Sequence, residues 1–233
     1  MKEFSNRYIF IFSAVMVVAV ATLLAMAATL LQPQQLRNLE IEKKKSILES
    51  IGIESTRENT ESLYEKYIKE LYVINKAGEK IEGVDAFKVV IKDEQKKAPE
   101  QQYLPVFKAV LDDGEKLIVL PVEGKGLWGP VWGYLSVKSD MNTIYGCTFD
   151  HKGETPGLGA EINTRPFEDM FIGKKLFESD KFVSIGVLKG GAAADDPHNV
   201  DAISGGTITS KGLEKMIADC ISKYSDYLIK NRN

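Results

Sequence analysis

Hydrophobic positions along the chain fall into three regimes, and each predicts a different kind of element. Residues 8–31 form an uninterrupted run of 24 residues without a charge. At a helical rise of about 1.5 Å per residue such a run exceeds the roughly 30 Å hydrocarbon core of a bilayer, so it is long enough to span one. A cleaved leader is the competing reading, because Lys2 and Arg7 precede the run and Ala25-Met26-Ala27 resembles a cleavage site. Leader cores are only about 7 to 15 residues, whereas this run continues through Leu31, which predicts an uncleaved anchor. Flanking charge leaves the orientation open: Arg37, Lys43, Lys44 and Lys45 follow the span, but long domains translocate largely regardless of such charges.

After Pro33 the pattern becomes amphipathic. Leu36, Leu39, Ile47, Leu48 and Ile51 recur at helical spacing and stop at Gly52, a residue suited to a helix end. Ser55 and Glu58 have the spacing of a capping box, and Leu63, Tyr64, Tyr67, Ile68 and Leu71 continue an apolar stripe. The period then shortens. Residues 71–74, 84–91, 103–111, 117–122, 131–137 and 143–149 read as strands, with a hairpin expected across 139–142. A helix is predicted after Pro166 and a late strand over 182–188. Leu213, Met216, Ile217, Cys220, Ile221, Tyr224 and Leu228 mark a C-terminal amphipathic helix. The predicted class is α+β: a single N-terminal transmembrane helix, then a soluble domain with an antiparallel sheet and flanking helices. Its expected divisions are a flank at 1–7, the span at 8–31, a helical preface at 32–75 and the main domain at 76–233.

Composition narrows the chemistry. Lys and Arg number 30 against 33 Asp and Glu, a net charge of −3, which gives no electrostatic reason to bind a nucleic acid. The two cysteines, Cys147 and Cys220, are too few and too far apart for a disulfide scaffold or a chelating pair, and read as buried thiols. His151 and His198 have no acidic partners at ligand spacing, so no metal centre is predicted and both read as polar loop residues.

Three segments dense in glycine and small polar residues remain: GKGLWGP at 124–130, ETPGLGAE at 154–161 and DAISGGTITS at 201–210. Each is a place where backbone can approach a ligand closely. None forms a nucleotide-binding fingerprint, since the first lacks the strand, helix and acid of G-x-G-x-x-G and the third lacks the P-loop order. The third runs into the C-terminal helix, whose start offers unpaired N–H groups and a positive dipole end to an anion such as phosphate. Ser204, Thr207, Thr209 and Ser210 supply hydroxyls there, and Thr209 or Ser210 could equally serve only to cap the helix.

The string Asp201-x-x-Ser204-Gly205-Gly206-Thr207 resembles the D-x-x-[ST]-G-A-T signature of proteins that hold FMN through a phosphoester to the final threonine, with Gly206 in place of the usual alanine. The two earlier blocks, in the same order, resemble those of the NqrC family, the C subunits of the sodium-translocating NADH:quinone oxidoreductase, as do the span and the helical preface. The related G subunit of the Rnf ferredoxin:NAD complex shares the ETPGLG and threonine blocks, but its first block usually lacks the pair present here as Leu127-Trp128.

The resemblance implies a membrane-anchored subunit of a translocating oxidoreductase, with no substrate of its own, acting as a one-electron relay through covalent FMN on Thr207. A non-redox membrane-tethered binding or scaffold domain is the alternative of a different class. The resemblance also implies that Leu127, Trp128, Gly129, Thr155, Leu158 and Gly159 line the ring, and that Ser204, Gly205 and Gly206 form the approach to the acceptor. Lys189 would lie near the ring, where a cation favours a reduced, anionic flavin. A threonine hydroxyl is a poor nucleophile and no base adjoins it, so a separate flavin transferase using FAD and Mg²⁺ is implied. Asp201 would either help recruit that cation or cap the loop backbone. The remaining implied partners are the other subunits of the complex and membrane lipid. The implied location is the bacterial inner membrane, single-pass, with the soluble domain on the periplasmic side.

Overall fold

The computed structural model describes residues 5–232; Lys2, counted with the N-terminal flank, lies outside them. The chain divides after residue 43 into a helical unit and a larger folded unit. Helix α1 (Asn6–Ser50) runs through both, so the apolar run and the stripe after Pro33 belong to one helix. Over residues 8–31 its side chains are exposed all round, Phe10 at 81% and Leu30 at 76%. A helical stretch apolar on every face with no buried residue suits a lipid environment and not water.

The larger unit is built on a six-stranded antiparallel sheet of order β2-β1-β3-β4-β5-β6. Its strands are β1 (Ile68–Ile74), β2 (Lys80–Ile81), β3 (Leu104–Val110), β4 (Lys116–Lys125), β5 (Pro130–Val137) and β6 (Ile144–His151). Strand β4 is apolar at every position from Leu117 to Val122 because both of its faces are covered there. Ile118, Leu120 and Val122 pack on one side with Leu213, Met216, Ile217 and Ile221 of α5 (Thr207–Ile221). Leu117 and Val119 pack on the other with Ile47, Leu48 and Ile51 of α1 and with Tyr64 and Tyr67 of α2 (Thr60–Tyr67). Side chains alternate across a strand, so a strand covered on both sides loses the apolar–polar rhythm.

The last turns of α1 are therefore part of the domain core. Ile47 and Leu48 are fully buried, each worth roughly 1.5–3 kcal/mol by area removed from water. The backbone there is bonded as well: Ser136 Oγ donates to the Ser50 carbonyl at 2.5 Å and Thr148 Oγ1 to the Ser46 carbonyl at 3.1 Å. On the opposite face, Tyr224 donates to the Pro105 carbonyl at 3.0 Å.

Several sequence expectations are corrected. Residues 84–91 form no strand: Asp85 Oδ1 accepts the Phe87 N–H at 3.0 Å and turns the chain into a 3₁₀ turn, followed by the single turn α3 (Ile91–Glu94). The capping box does not form, because Asn59 Oδ1 accepts the Thr56 N–H and α2 begins at Thr60. Ile68, placed in the helical stripe, belongs to β1, as does Leu71, which fits both that stripe and the predicted strand 71–74. The helix at Pro166 is the single turn α4 (Arg165–Glu168), continued as 3₁₀. The late strand is broken at Ser184, whose φ of 63° cannot continue a ladder. Its halves join separate pairs: β8 (Lys181–Phe182) with β7 (Phe177–Glu178), and β9 (Gly186–Leu188) with the parallel β10 (Asn199–Asp201). The C-terminal stripe is likewise split between α5 and α6 (Ser225–Lys230). The hairpin across 139–142 is present, joining β5 to β6.

Candidate functional site

The three glycine-dense segments come together beside the start of α5. The first is the turn of the β4–β5 hairpin, where Lys125 pairs with Pro130 and the Gly126 N–H donates to the Gly129 carbonyl at 2.8 Å. This short turn leaves Leu127 43% and Trp128 70% exposed. Large apolar side chains so placed are normally covered by something. The second segment leaves β6 and folds on itself, the Thr155 carbonyl accepting the Leu158 and Ala160 N–H groups at 3.1 Å each. Leu158 is 41% exposed, while Gly159 is buried.

The third segment links β10 to α5. Gly205 has a φ of +74°, a conformation open to glycine, and Gly206 forms the helix N-cap without a side-chain hydrogen bond. Thr207 is the first helical residue, half-buried, next to the exposed Ile208. Ser210 does not cap the helix; its Oγ accepts the Ile203 N–H at 3.1 Å and holds the loop shut. Where a methyl on Gly206 would stand, the Ile203 Cγ2 lies 2.9 Å away, so Ile203 fills the space of the alanine usual in the signature.

Contacts between segments are close. A Cβ on Gly205 would meet Leu158 Cδ2 at 2.5 Å, and one on Gly206 would lie 3.3 Å from the Gly159 nitrogen. The main tie is Glu154, which in the sequence stands out only as the first residue of its block. Glu154, 4% exposed, accepts the Trp128 N–H through Oε1 at 2.9 Å and the Thr209 hydroxyl through Oε2 at 2.6 Å. Its own N–H donates to His151 Nδ1 at 3.2 Å. An acidic residue opening a run of glycines and small residues was the available signal, since a carboxylate there must find donors once buried.

Asp201 and Lys189 sit in a neighbouring loop. Asp201 pairs with Leu188 across β10 and β9, and its Oδ1 accepts the Ala192 N–H at 2.6 Å, the loop-capping geometry. Lys189 is exposed at the end of β9, and among the described residues no hydrogen bond or ion pair joins it to the three segments. His198 Nδ1 lies 2.6 Å from the Lys175 carbonyl. Cys147 and Cys220 are buried thiols with separate partners, the carbonyls of Glu168 and Glu123.

A cavity of about 450 Å³ borders the first segment through Gly124, Lys125, Gly129 and Pro130 and is completed by Lys92, Gln95, Glu123, Met216 and Asp219; of the predicted site residues it includes only Gly129. Another, of about 310 Å³, is bordered by Glu49, Lys138, Arg165, Glu168 and Asp169. Burial pushes the Glu168 carboxyl up to about 7, opposed by the hydrogen bond it accepts from the Phe149 N–H. Glu49 and Asp169 add to the rise and Arg165 reduces it.

An exposed apolar shelf beside an uncapped helix start can receive a flat ring on the one and a phosphate on the other. Thr207 begins that helix, and Glu154 joins its first turn to the Trp128 turn, so the residues present fit a flavin nucleotide. Comparison with known proteins agrees in kind. Residues 126–222 match the FMN-binding domain family. The C subunit of the Na(+)-translocating NADH-quinone reductase from Haemophilus ducreyi is 36% identical over 207 residues, 82% of this chain and 80% of that one. Its counterpart from Pasteurella multocida is 36% identical over 213 residues, 84% of this chain and 82% of that one. Among solved structures, the C subunit from Parabacteroides distasonis superposes with a TM-score of 0.79 at 43% identity, covering 85% of this chain and 96% of that one. Shewanella oneidensis NqrC superposes with a TM-score of 0.70 at 26% identity, covering 82% and 97%.

Proposed function

Since the chain belongs to the NqrC family, the C subunits of the Na⁺-translocating NADH-quinone reductases, we propose that it is a membrane-anchored flavoprotein subunit carrying FMN as a phosphoester on Thr207. In this reading it relays single electrons between other subunits of the complex and turns over no substrate of its own. The observation that carries the reading is the placement of Thr207. It is the first residue of a helix with no side-chain cap, two residues after Gly205, which Leu158 approaches, and two before Thr209, which Glu154 joins to the turn carrying the exposed Leu127 and Trp128. The helix start carries roughly half a positive charge, which favours a phosphodiester anion at the Thr207 oxygen. Gly205 and Gly206 let the backbone N–H groups come near it.

Bound FMN supplies the one-electron chemistry, and the chain supplies position. Leu127, Trp128, Gly129, Thr155, Leu158 and Gly159 would border the ring, Ser204 would face the phosphate, and Lys189 would contribute a nearby positive charge. Asp201 holds the 189–192 loop, and any Mg²⁺ it recruits belongs to the attachment step. That step needs a flavin transferase with FAD as donor, because among the described residues no base is hydrogen-bonded to the Thr207 hydroxyl. The uncharged part of α1 would anchor the chain among membrane lipid, with the folded unit on the periplasmic side of the inner membrane. Covalent attachment suits that location, where a dissociated cofactor would be lost.

The test is direct. The full chain, made in cells containing the transferase, should give a fluorescent band on a denaturing gel and an added FMN phosphoryl mass on the peptide holding Thr207. Both should vanish in Thr207→Ala. A dark wild-type band of unmodified mass refutes the reading.

A further inference from the structure

Among the described residues Glu154, which opens the second segment, is the one acidic side chain that ties all three segments together, and the fold leaves room for it. A Cβ on Gly126 would stand 2.5 Å from its Oε1, and one on Gly159 would stand 2.7 Å from its Oε2 and against Thr209 Oγ1. Two of the glycines in the conspicuous blocks thus wall the carboxylate. Both of its partners are neutral donors, one on the turn that carries Trp128 and the other two residues beyond Thr207. Among the described residues it has no ion-pair partner, unlike an ordinary buried acid held by arginine or lysine. A purely structural tie between two loops could be made by an uncharged amide at less desolvation penalty.

Resting on the FMN reading above, we propose that Glu154 is the positioning residue of the cofactor site: its carboxylate pins the Trp128 turn to the first turn of α5 and sets a negative charge behind the ring wall. The pinning fixes the distance between shelf and acceptor hydroxyl, so that ring and phosphate can be seated together. The charge disfavours adding an electron to a flavin beside it, which holds the midpoint potential low.

The experiment uses the full chain produced with the flavin transferase, as wild type, Glu154→Gln and Glu154→Ala. It reads in-gel flavin fluorescence, intact mass, thermal unfolding and the midpoint potential of the attached flavin. Glutamine keeps an acceptor for the Trp128 N–H and offers an N–H to Thr209, so E154Q should be flavinylated like wild type but have a more positive potential. Alanine removes the tie, and E154A should be flavinylated about tenfold less or worse. An unchanged potential in E154Q overturns the proposal, and so does wild-type flavinylation with a wild-type spectrum in E154A. If E154A fails to fold, the E154Q potential alone decides. A dark wild-type band instead removes the cofactor reading and this inference with it, whereas a fluorescent wild type with indifferent variants removes the inference alone.

Discussion

Replacing Glu168 by glutamine should make the stability of the domain less dependent on pH, with a sign that runs against the usual carboxylate. Glu168 is 8% exposed and its Oε1 accepts the Phe149 N–H at 2.7 Å, yet burial dominates and raises its carboxyl from 4.5 to about 7. Between those values the folded chain holds a proton that the unfolded chain has released. Unfolding free energy therefore falls as pH rises through that window and levels off above 7. A rise of this size corresponds to a loss of about 3 kcal/mol as an upper bound, reduced by water entering the adjoining cavity. Glutamine keeps the acceptor for Phe149 and has nothing to ionise. The variant should match wild type near pH 5 and exceed it by roughly 2 kcal/mol at pH 8, a gain of about 4–8 °C in melting temperature for a unit of this size. Thermal unfolding of the detergent-solubilised chain at pH 5, 6, 7 and 8 measures this, and taking the difference between variants cancels the other titrating groups. Equal melting at pH 8, or a gain already complete at pH 5, would refute the assigned burial effect.

Trp128→Ala should leave the melting temperature nearly unchanged, within about 0.5 kcal/mol, because the side chain is 70% exposed. The visible circular dichroism of attached flavin should nevertheless weaken as one wall of the ring is lost; an unaltered band would place Trp128 outside the site. Gly159→Ala puts a methyl where Glu154 Oε2 and Thr209 Oγ1 stand and should destabilise the domain by about 1–3 kcal/mol. A melt identical to wild type would show that the loop yields there freely.

Elements whose apolar pattern matches one packing environment were legible in the sequence. The five strands from 71–74 to 143–149 that survived lie in the main sheet, where covered faces impose period two or a continuous apolar run. The C-terminal helix has a core stripe from Leu213 to Ile221. What misled was local side-chain chemistry. Residues 84–91 carry Val84, Phe87, Val89, Val90 and Ile91, a strand-like composition, but Asp85 captures a backbone N–H and only Ala86 becomes buried. At 182–188 five of seven residues are apolar, and the left-handed conformation of Ser184, which divides the run, has no signature at the level of residue type. The site was legible where glycine marks close approach. Glu154 was not singled out because its importance lies in donors 26 and 55 residues away, which no local window contains.

The burial of the α1 terminus has a consequence for the order of assembly. Ile47, Leu48 and Ile51 leave the ribosome before any of the sheet, yet their seats are made by Phe107, Leu117, Val119 and Tyr134. The carbonyls of Ser46 and Ser50 wait for Thr148 and Ser136, up to 102 residues downstream. Nascent chain must therefore keep this greasy segment from sticking elsewhere until Thr148 has been made, and closure of so long a loop makes docking of that helix end a late, slow event.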